Sequence, residues 1–330
     1  MFETILLPAM LFGGLALIFG YVLGYAAKLF YVKTDPKIEA INGVLPGVNC
    51  GACGYPGCSG YADAIVQKDE EINLCTPGGK EVMLKISEIM GKTSTEKERT
   101  VAIIHCKSGG YENTNLKYDY HGIKSCKAAI LLSGGPNQCN YGCVSQDDCL
   151  RACQFGAISV DKDGMRVIDK DKCTGCQACA KACPRRLIKM LPVSKTVFLL
   201  CSSKDKATQA RKFCGNKTPC IGCGLCSKNC PYNAVTIENN LAILDYSLCA
   251  NCGLCATKCP TKAILDIKKR GKAIIDFKNC IGCTICAKKC PVSCISGELK
   301  RMHTVDRDKC IGCEICYQKC PKQAVVIEYE

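Results

Sequence analysis

The chain has 330 residues, and 33 of them are Cys, a fraction that in a short secreted protein indicates a disulfide framework. Here most cysteines are separated by only two residues, which suits thiolates that converge on one metal centre better than disulfide bridges. The formal net charge of +14 raises nucleic acid as a partner, but Lys is spread evenly along a chain without Trp. Composition therefore argues against a secreted disulfide scaffold and against a nucleic-acid-binding protein.

The first predicted element is an apolar segment, residues 5–27, without a charged side chain. As a helix it would be about 35 Å long, enough to cross a bilayer. No basic segment precedes it, so no cleavable secretory signal is predicted and the thiols are expected to stay reduced. Lys28, Lys33 and Lys37 follow it, which places the bulk of the chain on the cytoplasmic side. We expect residues 1–35 to form a single anchor in the cell (inner) membrane, the alternatives being a buried helix or an uncleaved signal.

The next segment, residues 36–90, carries four cysteines among several glycines: Cys50, Cys53, Cys58 and Cys75. Glycine allows a backbone to wrap closely around a bulky cofactor. We predict a small four-Cys module that binds a [4Fe–4S] cluster, because the runs that follow favour that cofactor. A zinc site is the alternative.

From residue 139 onward the chain repeats one cysteine pattern. Five complete C-x2-C-x2-C-x3-C-P runs begin at Cys173, Cys220, Cys249, Cys280 and Cys310. A sixth, irregular run consists of Cys139, Cys143, Cys149 and Cys153. Spacings of 20, 19 and 20 residues from the end of one run to the start of the next mark three pairs. Such runs are typical of [4Fe–4S] ligation, since structural zinc sites use two distant C-x2-C knuckles.

Each pair of runs resembles a bacterial two-cluster ferredoxin, a βαββαβ fold in which the fourth Cys of one run binds the other run's cluster. The resemblance implies an α+β class with three tandem ferredoxin-like units, at residues 139–192, 220–270 and 271–330. With the four-Cys module it implies seven [4Fe–4S] clusters. The implied ferredoxin-type ligand sets are Cys139, Cys143, Cys149 and Cys183; Cys153, Cys173, Cys176 and Cys179; Cys220, Cys223, Cys226 and Cys259; Cys230, Cys249, Cys252 and Cys255; Cys280, Cys283, Cys286 and Cys320; and Cys290, Cys310, Cys313 and Cys316.

Two further segments, residues 91–138 and 193–219, are predicted to be inserts, the first of them a linker followed by a strand. Each contains a strand-like stretch that ends in Cys, VAIIHC and TVFLLC. Their four cysteines are Cys106, Cys126, Cys201 and Cys214. We interpret them as buried structural thiols. The alternative is an eighth cluster bound by all four, because the two stretches look like an internal duplication. A last spare thiol, Cys294, is expected to be packed and inert.

The clusters also account for the net charge. Seven oxidised cubanes with four thiolates each add a charge of about −14, so Lys and Arg are expected to balance the clusters and to favour their reduced state. No G-x-G-x-x-G follows a predicted strand, and no C-x-x-C-H is present, so neither a dinucleotide site nor a haem is predicted. The sequence therefore indicates electron transfer, with no catalytic residue on this chain.

Motifs outside the ferredoxin runs resemble the B subunit of the Rnf complex, the ion-translocating ferredoxin:NAD+ oxidoreductase. They are VLPG at 44–47, CGACGYPGCSGYADAI at 50–65, CTPGGKEVMLKI at 75–86 and RMHTV at 301–305. The chain is similar to the long form, which has two additional ferredoxin units. The resemblance implies a subunit that accepts electrons from soluble ferredoxin and passes them to other membrane and peripheral subunits. It implies that NAD reduction and Na+ or H+ pumping belong to the assembly.

Two other functions compete with this interpretation. One is an electron-wire subunit of another membrane oxidoreductase, such as a hydrogenase-linked complex, although the four-Cys module argues against it. The other is a metal-binding scaffold without a redox role. Measured reduction potentials distinguish conduction from a scaffold.

Overall fold

The computed structural model describes residues 2–30, 35–93, 95, 97–108 and 114–329, with only the backbone of residues 2–9. Lys33, used above for the membrane orientation, lies outside these ranges. The described chain is α+β: one long helix, a small helical module and three units that each contain two antiparallel strand pairs. This confirms the fold class expected from the sequence.

The N-terminal helix, α1 (Phe2–Leu29), stands apart from the rest of the chain. Its window Met10–Leu29 is long and apolar enough to cross a membrane, and none of that window is buried in the protein. Large side chains such as Phe12 and Leu17 are 72% and 77% exposed. Since apolar side chains of this size seek a nonpolar environment, the helix has the composition of a membrane anchor.

The four-Cys module is built from α2 (Pro36–Val44), α3 (Cys58–Gln67) and α4 (Gly79–Met90). The Asp35 side chain caps α2 by accepting the Lys37 N–H at 2.8 Å, and Pro36 is preorganised for the first turn. The buried core of the module consists of Ile38, Ile41, Leu45, Tyr61, Ala62, Ile65, Ile72, Met83 and Ile86. The module therefore has its own apolar core beside its cysteines.

The first ferredoxin unit contains, in chain order, β1 (Thr100–Ile104), α5 (Cys126–Leu131), α6 (Asp148–Arg151), β2 (Ile158–Val160), β3 (Arg166–Ile168), α7 (Ala178–Ala182) and β4 (Ile188–Pro192). Strand β1 pairs antiparallel with β4, in a register that joins Ala102 to Met190, and β2 forms a hairpin with β3. The strand predicted upstream of the first run is thus the outer strand of this unit.

The second and third units repeat this arrangement. The second contains β5 (Val197–Leu199), α8 (Ala207–Phe213), α9 (Leu225–Lys228), β6 (Val235–Glu238), β7 (Leu241–Leu244), α10 (Leu254–Thr257) and β8 (Ile264–Asp266). The third contains β9 (Lys272–Ile275), α11 (Ile285–Lys289), β10 (Ile295–Ser296), β11 (Thr304–Val305), α12 (Ile315–Lys319) and β12 (Val325–Glu328). In both units the first strand pairs with the last, and the middle two form a hairpin. The three units therefore share one βαββαβ topology.

Neighbouring modules contact each other in chain order. The hydroxyl of Thr76 in the four-Cys module donates to the carbonyl of Gly175 in the first unit at 3.4 Å. Phe198 of β5 packs into the buried core of the first unit. Between the second and third units, Arg270 donates to the carbonyls of Asn251 at 2.7 Å and Gly312 at 3.2 Å. The cysteine-rich parts of the chain thus form one continuous series.

Candidate iron–sulfur sites

The backbone of each regular run curls because its third and fifth residues adopt left-handed conformations. These positions, all with φ between 56° and 75°, are Gly175 and Gln177, Gly222 and Gly224, Asn251 and Gly253, Gly282 and Thr284, and Gly312 and Glu314. At Gly282 the close approach of backbone adds to this demand, since a Cβ would lie 2.6 Å from the backbone N of Arg301. Such curling turns the first three thiols of a run toward one point.

The sulfur of the fourth Cys accepts a backbone N–H in five of the six runs. The donors lie four residues downstream, at 3.3 to 3.4 Å, and are Ala157, Leu187, Ala234, Cys294 and Ala324. The first Cys of two runs also accepts a backbone N–H at its sulfur. Ala102 donates to Cys173 and Ala242 donates to Cys220, both at 3.4 Å. N–H donors stabilise thiolates, which are the form of Cys that binds iron.

Three cavities are each lined by one predicted ligand set. The cavities have volumes of about 330, 330 and 350 Å³. Their cysteines are Cys153, Cys173, Cys176 and Cys179; Cys220, Cys223, Cys226 and Cys259; and Cys280, Cys283, Cys286 and Cys320. Apolar residues such as Ile281 and Ile285 complete the walls of the third of these cavities. Four converging thiols in an apolar enclosure fit a [4Fe–4S] cluster.

Two more predicted sets are close enough for their thiolates to interact. Burial raises the pKa of Cys255 to about 12. The charges of Cys252, Cys249 and Cys230 in the same set add to this effect, and so does the charge of Cys226 in the other set of the second unit. In the third unit, burial raises the pKa of Cys316 to about 12, with Cys313, Cys310 and Cys290 contributing. Mutual repulsion of this kind is relieved when a metal centre takes up the negative charge.

The four-Cys module brings its thiols together as well. Burial raises the pKa of Cys75 to about 11, and the charges of Cys58, Cys50 and Cys53 add to this effect against a backbone hydrogen bond from Gly78. Within the described ranges, no three His, Cys, Asp or Glu side chains are spaced to hold a single metal ion. A cubane of four iron and four sulfide ions separates its four thiolates more widely than one ion does.

The irregular first run has a different arrangement. A cavity of about 400 Å³ is lined by three members of the predicted set, Cys143, Cys149 and Cys183, and its fourth thiol is Cys126. Cys139, the predicted fourth member, lines another cavity. Cys139 is held away from the first cavity because the Arg185 guanidinium donates a hydrogen bond to the Cys139 carbonyl at 3.1 Å.

Two residues near these sites were not singled out from the sequence. Arg185 follows Cys183-Pro184 and is half-buried among carbonyls of the loop at 134–142. His303 is fully buried and lines the cavity of Cys280, and neither ring nitrogen has a hydrogen-bond partner among the described atoms. The double Arg after Cys183 and the RMHTV motif were the available signals, but neither fixes a position relative to a thiol.

Family comparisons agree with the assignment of iron–sulfur modules. A family model for an Fe-S cluster matches residues 45–77. Models described as 4Fe-4S dicluster domains match residues 219–263 and 273–327, and a 4Fe-4S binding domain matches residues 166–189. The chain thus contains several [4Fe–4S] ferredoxin domains in addition to the four-Cys module.

Curated relatives cover most of the chain. It is 40% identical over 246 residues to the B subunit of the Na(+)-translocating ferredoxin:NAD(+) oxidoreductase complex of Acetobacterium woodii, covering 74% of this chain and 73% of the relative. It is 41% identical to the B subunit of the proton-translocating ferredoxin:NAD(+) oxidoreductase complex of Clostridium ljungdahlii, over 74% of this chain and 86% of the relative. It is 38% identical to the B subunit of the ion-translocating oxidoreductase complex of Methanosarcina acetivorans, over 61% of this chain and 76% of the relative. The chain therefore belongs to the family of B subunits of the Rnf ion-translocating oxidoreductase complexes.

Proposed function

We propose that this chain is the electron-transfer subunit of a membrane-bound, ion-pumping ferredoxin:NAD+ oxidoreductase. It accepts electrons from reduced soluble ferredoxin and passes them to partner subunits of the Rnf complex, while NAD+ is reduced elsewhere in the assembly. The observation that carries this proposal is the unbroken contact between the four-Cys module and three successive ferredoxin units. Family membership supports it.

The clusters supply one-electron carriers, and this chain's residues hold and tune them. Six ligand sets follow the sequence prediction: Cys50, Cys53, Cys58 and Cys75; Cys153, Cys173, Cys176 and Cys179; Cys220, Cys223, Cys226 and Cys259; Cys230, Cys249, Cys252 and Cys255; Cys280, Cys283, Cys286 and Cys320; and Cys290, Cys310, Cys313 and Cys316. A seventh cluster is held by Cys143, Cys149 and Cys183 with a fourth thiol.

Backbone N–H groups and cations balance the negative charge that electrons bring. The N–H donors at the fourth cysteines favour thiolate ligation, and nearby Lys and Arg side chains stabilise the reduced state. Lys272, for example, donates to the carbonyl of the ligand Cys310 at 2.6 Å. These features stabilise the reduced form of a cluster and so favour acceptance of an electron.

The membrane orientation is part of the proposal. Helix α1 anchors the chain in the cell membrane, with all following modules on the cytoplasmic side. The positive charges of Lys28 at its end and Lys37 beyond support this orientation. Protease added to intact cells should leave the ferredoxin units uncut, whereas inside-out vesicles should lose them. Digestion from outside the cell contradicts this orientation.

The functional assignment is tested by isolating the chain with its partners. The tagged chain, purified anaerobically from native membranes, should carry other Rnf subunits, and the preparation should reduce NAD+ with reduced ferredoxin. Hydrogenase or formate-linked subunits in their place would show that the chain conducts electrons for another oxidoreductase.

A further inference from the structure

The irregular first run contains a regular run with one cysteine replaced. Cys143 and Cys149 are spaced as the first and third cysteines of C-x2-C-x2-C, and the position of the second is Gln146. The backbone agrees, because Ser145 and Asp147 have φ of 63° and 64°, as the third and fifth residues of the other runs do. Cys139 therefore lies outside the run, and the run lacks one ligand.

Cys126 lies where that ligand is missing. It begins α5, is 8% exposed, and lines the same cavity as Cys143, Cys149 and Cys183. Burial raises the pKa of Cys126, and backbone hydrogen bonds from Asp148 and Gln146 act in the opposite direction. The first insert thus delivers a thiol to the position beside Gln146.

A second cavity collects the remaining four thiols: Cys106, Cys139, Cys201 and Cys214. Its volume is about 440 Å³, larger than the 330 to 350 Å³ of the three cavities lined by predicted ferredoxin sets. Cys106 follows β1 and Cys201 follows β5, while Cys214 comes directly after α8. The two inserts are joined across this cavity, since Lys107 donates its N–H to Leu200 at 3.2 Å.

Two sulfur atoms in this cavity accept backbone N–H groups, as the sulfur atoms of the predicted ferredoxin ligands do. Cys143 donates its backbone N–H to the sulfur of Cys106 at 3.3 Å, and Ser203 donates to the sulfur of Cys201 at 3.5 Å. The Arg185 guanidinium lies beside the group and donates to the carbonyl of Cys139 at 3.1 Å. N–H donors and a nearby cation suit four thiolates with a cluster of net negative charge.

We infer that Cys106, Cys139, Cys201 and Cys214 bind an eighth [4Fe–4S] cluster, and that Cys126 completes the ligand set of Cys143, Cys149 and Cys183. Binding of an assembled [4Fe–4S] core replaces four S–H bonds by four Fe–S bonds, and four protons pass to solvent. The assignment uses every cysteine of the chain except Cys294, whose sulfur lies 3.4 Å from that of Cys290.

The eighth site lies between the first and second ferredoxin units. On one side, the sulfur of Cys106 contacts the backbone of Cys143, a ligand in the first unit. On the other side, Cys201 receives a backbone hydrogen bond from Cys220, a ligand in the second unit, which lowers its pKa against the dominant effect of burial. The inserts therefore supply an electron carrier between the first and second units. This role does not depend on which electron donor and acceptor the complex uses.

The iron and acid-labile sulfide content of the full-length chain tests this inference first. After anaerobic purification, eight clusters give about 32 Fe and 32 sulfide per chain, whereas seven give about 28 of each. A content of about 28 overturns the eighth site without bearing on the proposed function. This measurement uses the unaltered protein, so it stands even if a variant fails to fold.

Pairs of substitutions test which thiols share a cluster. If Cys139 and Cys201 share one, the C139A/C201A variant loses about 4 Fe, and C126A/C201A loses about 8 because two clusters are affected. An eighth cluster bound by Cys106, Cys126, Cys201 and Cys214 predicts the reverse, and that result overturns the assignment. C294A is the matched control, since Cys294 belongs to no proposed ligand set, and its iron content should equal that of the unaltered chain.

Discussion

The backbone N–H of Cys143 donates to the sulfur of Cys106 at 3.3 Å, although 37 residues separate the two in the chain. Cys143 lines the cavity of the first ferredoxin unit, and Cys106 lies two residues beyond the end of β1, the first strand of that unit. The described residues between them include Cys126 and Cys139, which line the two cavities on either side of this contact.

The Arg185 guanidinium should hold the loop that carries Cys139. It donates to the carbonyls of Gly134 at 2.6 Å and Cys139 at 3.1 Å, and it also contacts the carbonyl of Gly142. Replacing Arg185 by Met removes these three hydrogen bonds, at a cost of about 2–4 kcal/mol. We expect faster hydrogen exchange across residues 134–143. Arg186→Met, at the exposed neighbouring position, is the control, and equal exchange in both variants contradicts this role.

Gly282 tests the curled backbone of the runs. Its φ is +66°, and a Cβ would lie 2.6 Å from the backbone N and O of Arg301. Gly282→Ala should therefore cost more than the roughly 1–2 kcal/mol of a left-handed Ala and release iron from the third unit on mild heating. Gly224→Ala is the control, because Gly224 has a φ of +75° but no described atom lies within 4 Å of the new Cβ. If both variants lose iron at the same temperature, the close approach at Gly282 is unimportant.

Asn49 should position Cys58, a predicted ligand of the four-Cys module. Its side-chain oxygen accepts the Cys58 N–H at 2.8 Å, and its own φ is 51°. Asn49→Ala removes this bond and is strained in a left-handed conformation, a combined loss of about 1–3 kcal/mol. Asn49→Asp keeps an acceptor and tolerates the conformation. We expect selective iron loss from the module in the Ala variant, measured by EPR, and retention in the Asp variant.

The sequence predicted the fold class, the ferredoxin units and the strand character of VAIIHC and TVFLLC. The partner of β1 could not be predicted, because Ala102 pairs with Met190 far along the chain and no local signal encodes that distance. The pattern of cysteines alone hid Gln146, since Ser145 stands where four of the five regular runs have Gly as their third residue. The role of Cys139 therefore depends on tertiary structure.

Removal of the clusters should affect the modules unequally. Buried cysteines form part of the core of the third unit, where Cys286, Cys310 and Cys316 pack with Ala273 and Ile275. No buried cysteine belongs to the described core of the four-Cys module. Since metal binding supplies folding free energy, chelation of iron should unfold the ferredoxin units and leave helical structure in the module. Far-UV circular dichroism and proteolysis of the apo-chain measure this. Intact β-ladders after iron removal contradict it.

We propose that this chain conducts electrons at low potential. An anaerobic redox titration of the purified full-length chain, followed by EPR and visible absorbance, tests it most directly. We predict that most of the bound iron titrates in one-electron steps near the range of low-potential ferredoxins, about −400 mV. Iron that remains redox-silent throughout that range would show that the cysteine sites are structural and would contradict conduction.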